Sequence, residues 1–369
     1  MSDLELVIID SAEQLRRSAK MWDELWQSSS VALPTLQAEL VAQWIDKFAF
    51  DSQVHIMAVR QGDSFVAALP LAGRKEKKVF SVGDLSTNCW SSNGELLIDR
   101  NADHRVVLDF LSEAVDTVPW PLIWLDFVQT GELHWKSMID SLKSRGLSFA
   151  IHERYHIGQV RTIGSYTNYM SGRSKNHRRN LRKDYRRLEK TGPLNVMIHS
   201  EFANDEVDVL VREAFELENR GWKGAAGSSV LRSSGMLDFY ILLARYLASN
   251  GQLRLAFLKH NDKPIAFELG WEAKGWHFSY KVGYDADYRT FAPGQLLRMK
   301  LIEDCFARTD CDFFDFQGPM NHALSCWSTQ TYPISRLIVA PNRRISRTLL
   351  NGYKAFWPMI HRIKCQPCH

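Results

Sequence analysis

No apolar run in the 369 residues approaches the roughly 18 that a membrane span requires. The opening stretch, MSDLELVIIDSAEQL, has acids early and lacks the basic-then-apolar layout of an export signal, so a cytoplasmic protein is expected. Cysteine is sparse. The six residues Cys89, Cys305, Cys311, Cys326, Cys365 and Cys368 are scattered, which argues for reduced thiols rather than a disulfide framework. No low-complexity linker is present. No Ser-His-Asp or Cys-His set is evident, so a covalent enzyme intermediate is not expected. No metal cofactor is expected either. The last five residues, Cys365-Gln-Pro-Cys368-His369, match the haem-attachment pattern, but no domain surrounds them and the haem reading fails on that context; a disulfide or a stray metal ion stays open.

What the chain does contain is ordinary in amount and uneven in place. An apolar fraction of 45% and a charged fraction of 24% suit a globular protein, long enough for two domains. The net charge of +4 is local. Arg173–Lys190 holds nine Lys or Arg against Asp184 and Glu189, a balance of +7, so the rest of the chain sums to −3. In this stretch Arg178, Arg182 and Arg186 share one helical face, and Leu181, Tyr185 and Leu188 form an apolar stripe. The helix therefore packs one side. Its basic side suits a phosphate, an anionic acceptor or nucleic acid, with a plain solvated face as the alternative.

Two segments echo each other. Val54–Gly73 and Gln252–Trp271 each read as two strands around a polar turn, at Gly62-Asp63 and Asn261-Asp262. A further strand, a helix and an acid-bearing apolar strand follow each of them. Asp126 in IWLDF stands where Asp315 stands in FFDF. Two α/β units in tandem are expected, with a boundary near Val160–Tyr166. Asn168–Lys190 reads as the opening helix of the second unit, followed by helices over about Asp205–Arg220 and Gly235–Ser249. Asn342–Lys364 reads as a basic amphipathic tail that docks on its own domain, with weak membrane contact as the lesser reading.

The richest segment is Trp276–Gly318. An aromatic strand, Trp276–Tyr284, leads to a helix opening at Ala292-Pro293-Gly294 and then to the strand CDFFDF. Pro293 suits a first helical position, and Gly294 admits close approach to the backbone. Phe291, Ala292, Pro293, Gly294, Gln295 and Leu296 would supply backbone donors and a wall for a pyrophosphate at the positive end of the helix.

YKVGYDADYRTFAPGQLL with FFDFQGP, the basic helix Ser174–Val196, FELENRGWKGAAGSSV (Phe215–Val230) and Gly251–Trp271 together resemble the CelD-like acyltransferases, a branch of the GNAT superfamily related to FemAB-type transferases. The resemblance implies an α/β fold of two tandem GNAT-like units, each a mixed central sheet flanked by helices. The expected division is 1–163, 164–341 and a tail at 342–369. It implies acyl-CoA, acetyl-CoA foremost, as donor and a small-molecule amine as acceptor, on a sugar, an amino acid or a cell-envelope or polysaccharide precursor. It also implies that Trp222 and Lys223 border the cleft, with Lys281, Tyr284, Arg178 and Arg182 as further substrate contacts. Attack by an amine on a thioester needs a base and a donor to the leaving thiolate. Asp315 and Glu268 are the expected bases and Tyr280 the expected acid. Relatives often carry Tyr-Lys-x-x-Trp after the last acidic strand; here Ala323-Leu324-Ser325-Cys326-Trp327 keeps only the tryptophan. Two rival readings follow, a FemAB-like transferase using aminoacyl-tRNA and a non-catalytic binding module in polysaccharide assembly.

Overall fold

The computed structural model describes residues 4–76, 80–91, 94–203 and 205–363. In chain order the first half comprises β1 (Leu4–Ile9), α1 (Ala12–Arg17), α2 (Ala19–Ser28), α3 (Ala38–Phe48), β2 (Ile56–Gln61), β3 (Ser64–Leu69), β4 (Leu71–Glu76), β5 (Phe80–Leu85), β6 (Leu97–Ile98), α4 (His104–Ala114), β7 (Ile123–Val128), α5 (Leu133–Ser144) and β8 (Ser148–Arg161). The second half comprises α6 (Tyr166–Ser171), α7 (Lys175–Glu189), β9 (Leu194–His199), α8 (Glu206–Arg220), α9 (Trp222–Ala225), α10 (Met236–Ser249), β10 (Leu253–His260), β11 (Lys263–Ala273), β12 (Trp276–Tyr284), α11 (Pro293–Ala307), β13 (Phe313–Pro319), α12 (His322–Ser325), β14 (Gln330–Ala340) and α13 (Arg344–Ile363). This is a mixed α/β protein. Among the described residues no helix is long and apolar enough to cross a membrane.

Two compact units form, Met1–Tyr155 with Tyr332–His369, and His156–Thr331. The division differs from the linear one read from the sequence. β14 returns to the first unit because it pairs with β7, with Leu337 opposite Leu125 and Val339 opposite Ile123. The tail follows it. Leu350 of α13 is fully buried with Val82, Leu122, Trp124 and Ile338, so the first half of that helix docks as expected. The Cys365-x-x-Cys368-His369 motif lies outside the described residues.

In the first unit β1, β2, β3 and β6 make one antiparallel sheet. β5 pairs in parallel with β7 at Gly83 and Ile123. Large apolar side chains, Trp135, Leu108, Leu111 and Val59 among them, fill its core.

In the second unit the strands run β8, β13, β12, β11, β10, β9. The β10–β11 hairpin closes on Asn261 and Asp262, both with positive φ (49° and 61°), the left-handed pair that a tight hairpin turn requires. The basic segment is two helices rather than one. Gly172 caps α6, and Ser174 caps α7 by accepting from His177 N at 3.2 Å. Leu181 and Leu188 bury one side of α7, as their spacing predicts.

Alternation on the strands sorts the two faces. Ala266, Phe314 and Phe316 pack with α11 residues Leu297, Leu301 and Cys305. Phe267 meets Phe215 of α8, and Tyr280 meets Tyr240 of α10. β12 also carries a bulge. Leu269 lies opposite Lys281 and Gly270 opposite Ser279, so Tyr280 falls outside the ladder. A Cβ on Gly270 would lie 2.4 Å from the Phe278 carbonyl oxygen. Gly270→Ala should therefore destabilise the protein by about 1–3 kcal/mol in urea denaturation. Gly294→Ala, whose Cβ would meet only Tyr284 at 3.9 Å, should leave stability unchanged or raise it slightly.

Candidate active site

The site is set by where β12 and β13 part. They pair in parallel only from Trp276–Phe278 with Phe313–Asp315. β12 then runs on to Tyr284, while β13 turns at Gln317, a non-glycine residue at φ 53°, and rejoins β8 with Pro319 opposite Ile157. A wedge opens between two parallel strands in the middle of the sheet. α11 begins beside it, and the Tyr284 ring faces the open space above Gly294.

The helix start is half-exposed and unfilled at Gly294, but its donors are fewer than expected. Ala292 N donates to Arg289 O, and Gln295 N and Leu296 N both donate to Ala292 O. Pro293 has no N–H. Among the described residues no acceptor meets Gly294 N–H. Ala292 itself sits in the left-handed region, at φ 49°. The Pro293 and Leu296 side chains are buried in the core, and Phe291 lies under the Arg187 guanidinium at 4.9 Å. Gln295 is taken as well: its Oε1 accepts from Trp327 Nε1 at 2.6 Å. Trp327, the tryptophan kept from the Tyr-Lys-x-x-Trp pattern, is fully buried. Its carbonyl accepts from Tyr169 Oη at 2.6 Å and Arg173 Nη1 at 3.2 Å, so it staples α6, α11 and α12.

Positive charge supplements the thin set of amides. Arg187 of α7 donates to Thr290 O at 3.2 Å, which brings the basic helix to the mouth of α11. Arg298 stands one turn after Gly294, on the same helical face. Its guanidinium lies 5.4 Å over the Phe316 ring, its Nε is buried without a partner, and burial lowers its pKa. Among the described residues it forms no ion pair. Arg178 and Arg182, the expected contacts, instead turn their Nε atoms back to carbonyls, Arg173 O and Arg178 O, at 3.2 Å.

The two expected bases are separated by the sheet. Glu268 faces α11, and both its oxygens are occupied: Oε1 lies 3.0 Å from His277 Nε2, and Oε2 accepts from Ser279 Oγ at 2.6 Å. His277 Nδ1 is 2.8 Å from Glu272 Oε1. Burial alone would lower the His277 pKa; the two carboxylates outweigh it and raise it to about 9. Glu268 is thus part of a buried Glu-His-Glu chain. Asp315, buried, alternates to the other face, where its Oδ1 accepts from Gln317 N at 2.7 Å and Gln317 Nε2 at 2.9 Å. Tyr280 is on Asp315's face, tilted on Trp271 at 4.3 Å. Lys281 is there too, its Nζ 4.9 Å from the Tyr280 ring centre and 5.5 Å from that of Tyr240.

The loop after α8 borders the same end of β12. Buried Glu218 ties it: Oε1 accepts from Lys223 Nζ at 2.6 Å and Oε2 from Val230 N at 2.9 Å. Lys223 also reaches Val282 O at 3.3 Å, so it is a structural cation more than a free substrate contact. Trp222 is exposed, as a stacking residue needs to be, and Tyr284 is partly so. Sequence reading missed His277, Ser279 and Arg298. The alternation of His277 and Ser279 among aromatics, and the four-residue step from Gly294 to Arg298, were the available signals.

The first unit has an opening of its own, lined by Trp44, Phe48, Ala72, Arg74, Asp84 and Asn88. Its parallel pair is bordered by Asp126, held by Arg336 through two bonds of 2.6 Å, and by Asp84, held by Arg74 at 2.6 Å. Burial pushes Asp84 up to about 7 against the pull of Arg74.

Residues 175–322 match the family model described as Acetyltransferase (GNAT) domain, and the chain is an acyltransferase. No curated protein matches the sequence. Among solved structures, FemX shares the fold over 94% of this chain and 100% of its own, at TM-score 0.60 and 11% identity. The C-terminal domain of a protein assigned as a lysylphosphatidylglycerol synthetase from Agrobacterium fabrum is similar over 92% of this chain and 96% of its own, at TM-score 0.55 and 11% identity. A conserved protein of unknown function from Bacteroides thetaiotaomicron is similar over 93% and 100%, at TM-score 0.54 and 11% identity. At such identities these likenesses concern the fold.

Glu218, itself buried, holds the 222–230 loop by two bonds, so Glu218→Ala should cost about 1–3 kcal/mol. Limited proteolysis should then cut within that loop while the β10–β12 core stays intact.

Proposed function

We propose that this chain moves an acyl group from acyl-CoA, acetyl-CoA foremost, to an amine of a sugar, an amino acid or a cell-envelope or polysaccharide precursor. The observation that carries the reading is the wedge between β12 and β13 with the open Gly294 turn beside it. A thioester on a long flexible arm fits a slot of that kind, entering from the α11 face and presenting its carbonyl to the opposite face. Support also comes from the GNAT domain match and from the CelD-like motifs.

The residues divide by face. On the donor side Gly294 N–H, the helix dipole and Arg298 meet phosphate oxygens, and Arg187 adds long-range attraction. On the acceptor side Trp222 stacks on the acceptor and Asp315 receives the ammonium proton, directly or through water, so that the neutral amine can attack. The nitrogen bonds to the thioester carbon. The tetrahedral intermediate then collapses: the C–S bond breaks, Tyr280 protonates the leaving thiolate, and the excess proton on the nitrogen passes through water to restore the tyrosine. No bond to the enzyme forms in this scheme.

The basic helix favours a second reading, with an aminoacyl-tRNA as donor. The two donors respond differently to salt, because RNA affinity falls steeply as counterions are released.

Calorimetry should show saturable binding of acetyl-CoA. Arg298→Ala should weaken it about tenfold or more, a loss of about 1.4 kcal/mol, and Gly294→Trp should abolish it. Absence of binding by any acyl-CoA, with tight and salt-sensitive RNA binding, would overturn the donor assignment. With an accepted amine, Asp315→Asn should lower kcat by about 100-fold or more in a thiol-release assay and leave donor affinity unchanged. Unchanged turnover would remove Asp315 as the base.

A further inference from the structure

The Glu-His-Glu chain continues, at the far end of α11 from Gly294, into a group of donors that the transfer chemistry does not use. A carboxylate oxygen of Glu272, a ring nitrogen of His277 and Sγ of Cys305 all lie within 4.8 Å of one another. Cys311, buried next to Cys305 and within electrostatic reach of His277 and Glu272, stands beside them. His277, Cys305 and Cys311 are buried. We propose that these four residues form a structural site for a zinc-class divalent ion, independent of the acyltransferase reading.

Donor chemistry and charge support it. Two sulfurs, one imidazole and one carboxylate are the mixed soft and borderline set that tetrahedral zinc takes. Glu268 holds the second imidazole nitrogen at 3.0 Å, the outer partner that fixes a ligating histidine's tautomer. Arg254 and Arg308 pair with Glu272, and His277 bridges Glu268 and Glu272. A bound ion would take both sulfurs as thiolates and the imidazole as its neutral form. The ion, two thiolates, two carboxylates and two arginines then sum to zero. Arg254 and Arg308 remain on Glu272 as its outer partners. A crevice lined by Gly251, Arg254, Glu272, Trp276, Asp310 and Cys311 leads to the cluster.

Four protein ligands leave no open position, so the ion would clip the last turn of α11 to β11, β12 and the start of β13. The site lies about 16 Å along the helix from its first turn. The role is to hold the helix that borders the wedge, not to take part in transfer.

The test uses the full chain with Cys365→Ser and Cys368→Ser, so that the terminal motif contributes no thiol. Reduced protein is titrated with Co(II) and followed by absorption, then with Zn(II) and followed by thermal melting. The expected result is one Co(II) per chain with thiolate charge-transfer bands, displacement by Zn(II), and a rise in Tm reversed by chelator. Cys311→Ser should weaken the charge-transfer band, and Cys305→Ser should weaken it while circular dichroism confirms the fold. A folded, reduced protein that shows no thiolate–cobalt absorption overturns the proposal. A spectrum unchanged in both variants does so too, since the ion would then sit elsewhere.

Discussion

The structure depends on a parallel strand pair that is not allowed to continue. β12 and β13 share three paired positions and then separate, and each loses a neighbour where the sheet should be most regular. Unpaired backbone in a sheet interior is costly, so both strands need other support. The β12 bulge at Tyr280, the left-handed Gln317 and the return of β13 to β8 supply it. Opening, bulge and reversed strand are one solution to one problem, and the cleft is its by-product.

Charge follows the same geometry. On the α11 face the buried groups form a continuous chain from Ser279 through Glu268, His277 and Glu272 to Arg254 and Arg308. Each member has an opposite or hydrogen-bonding neighbour, the condition under which burial is tolerated. Arg298, on the same face, is drawn to Glu268 and lies over Phe316 but forms no ion pair among the described residues. In the first unit two arginines pair with Asp84 and Asp126. The second unit's wedge keeps at its edge a cation whose Nε has no partner, which suits the proposed phosphate contact.

Much of this was legible in the sequence where local chemistry decides. Asn261-Asp262 marked a hairpin, Pro293-Gly294 a helix start, and Leu181 and Leu188 the packed side of a basic helix. Cooperation between distant residues was not legible. Nothing in FFDFQG states that Asp315 and Glu268 end on opposite faces, since that follows from the parallel register and a bulge. Lys223 resembles a free cation until Glu218 folds beneath it. Gln295 resembles an anion contact until Trp327, from a segment thirty residues on, takes its amide. The return of β14 to the first unit was hidden for the same reason: strand pairing is not written in the strand alone.

The knot around Glu218 has a consequence for molecular choice. A nine-residue turn ordered in advance by two bonds to a buried carboxylate surrenders little freedom when a guest arrives. Such a wall does not mould itself to what it meets. For the proposed acceptor, discrimination there would be set by fit at first encounter, with a mismatched guest refused by shape instead of being accommodated at reduced speed.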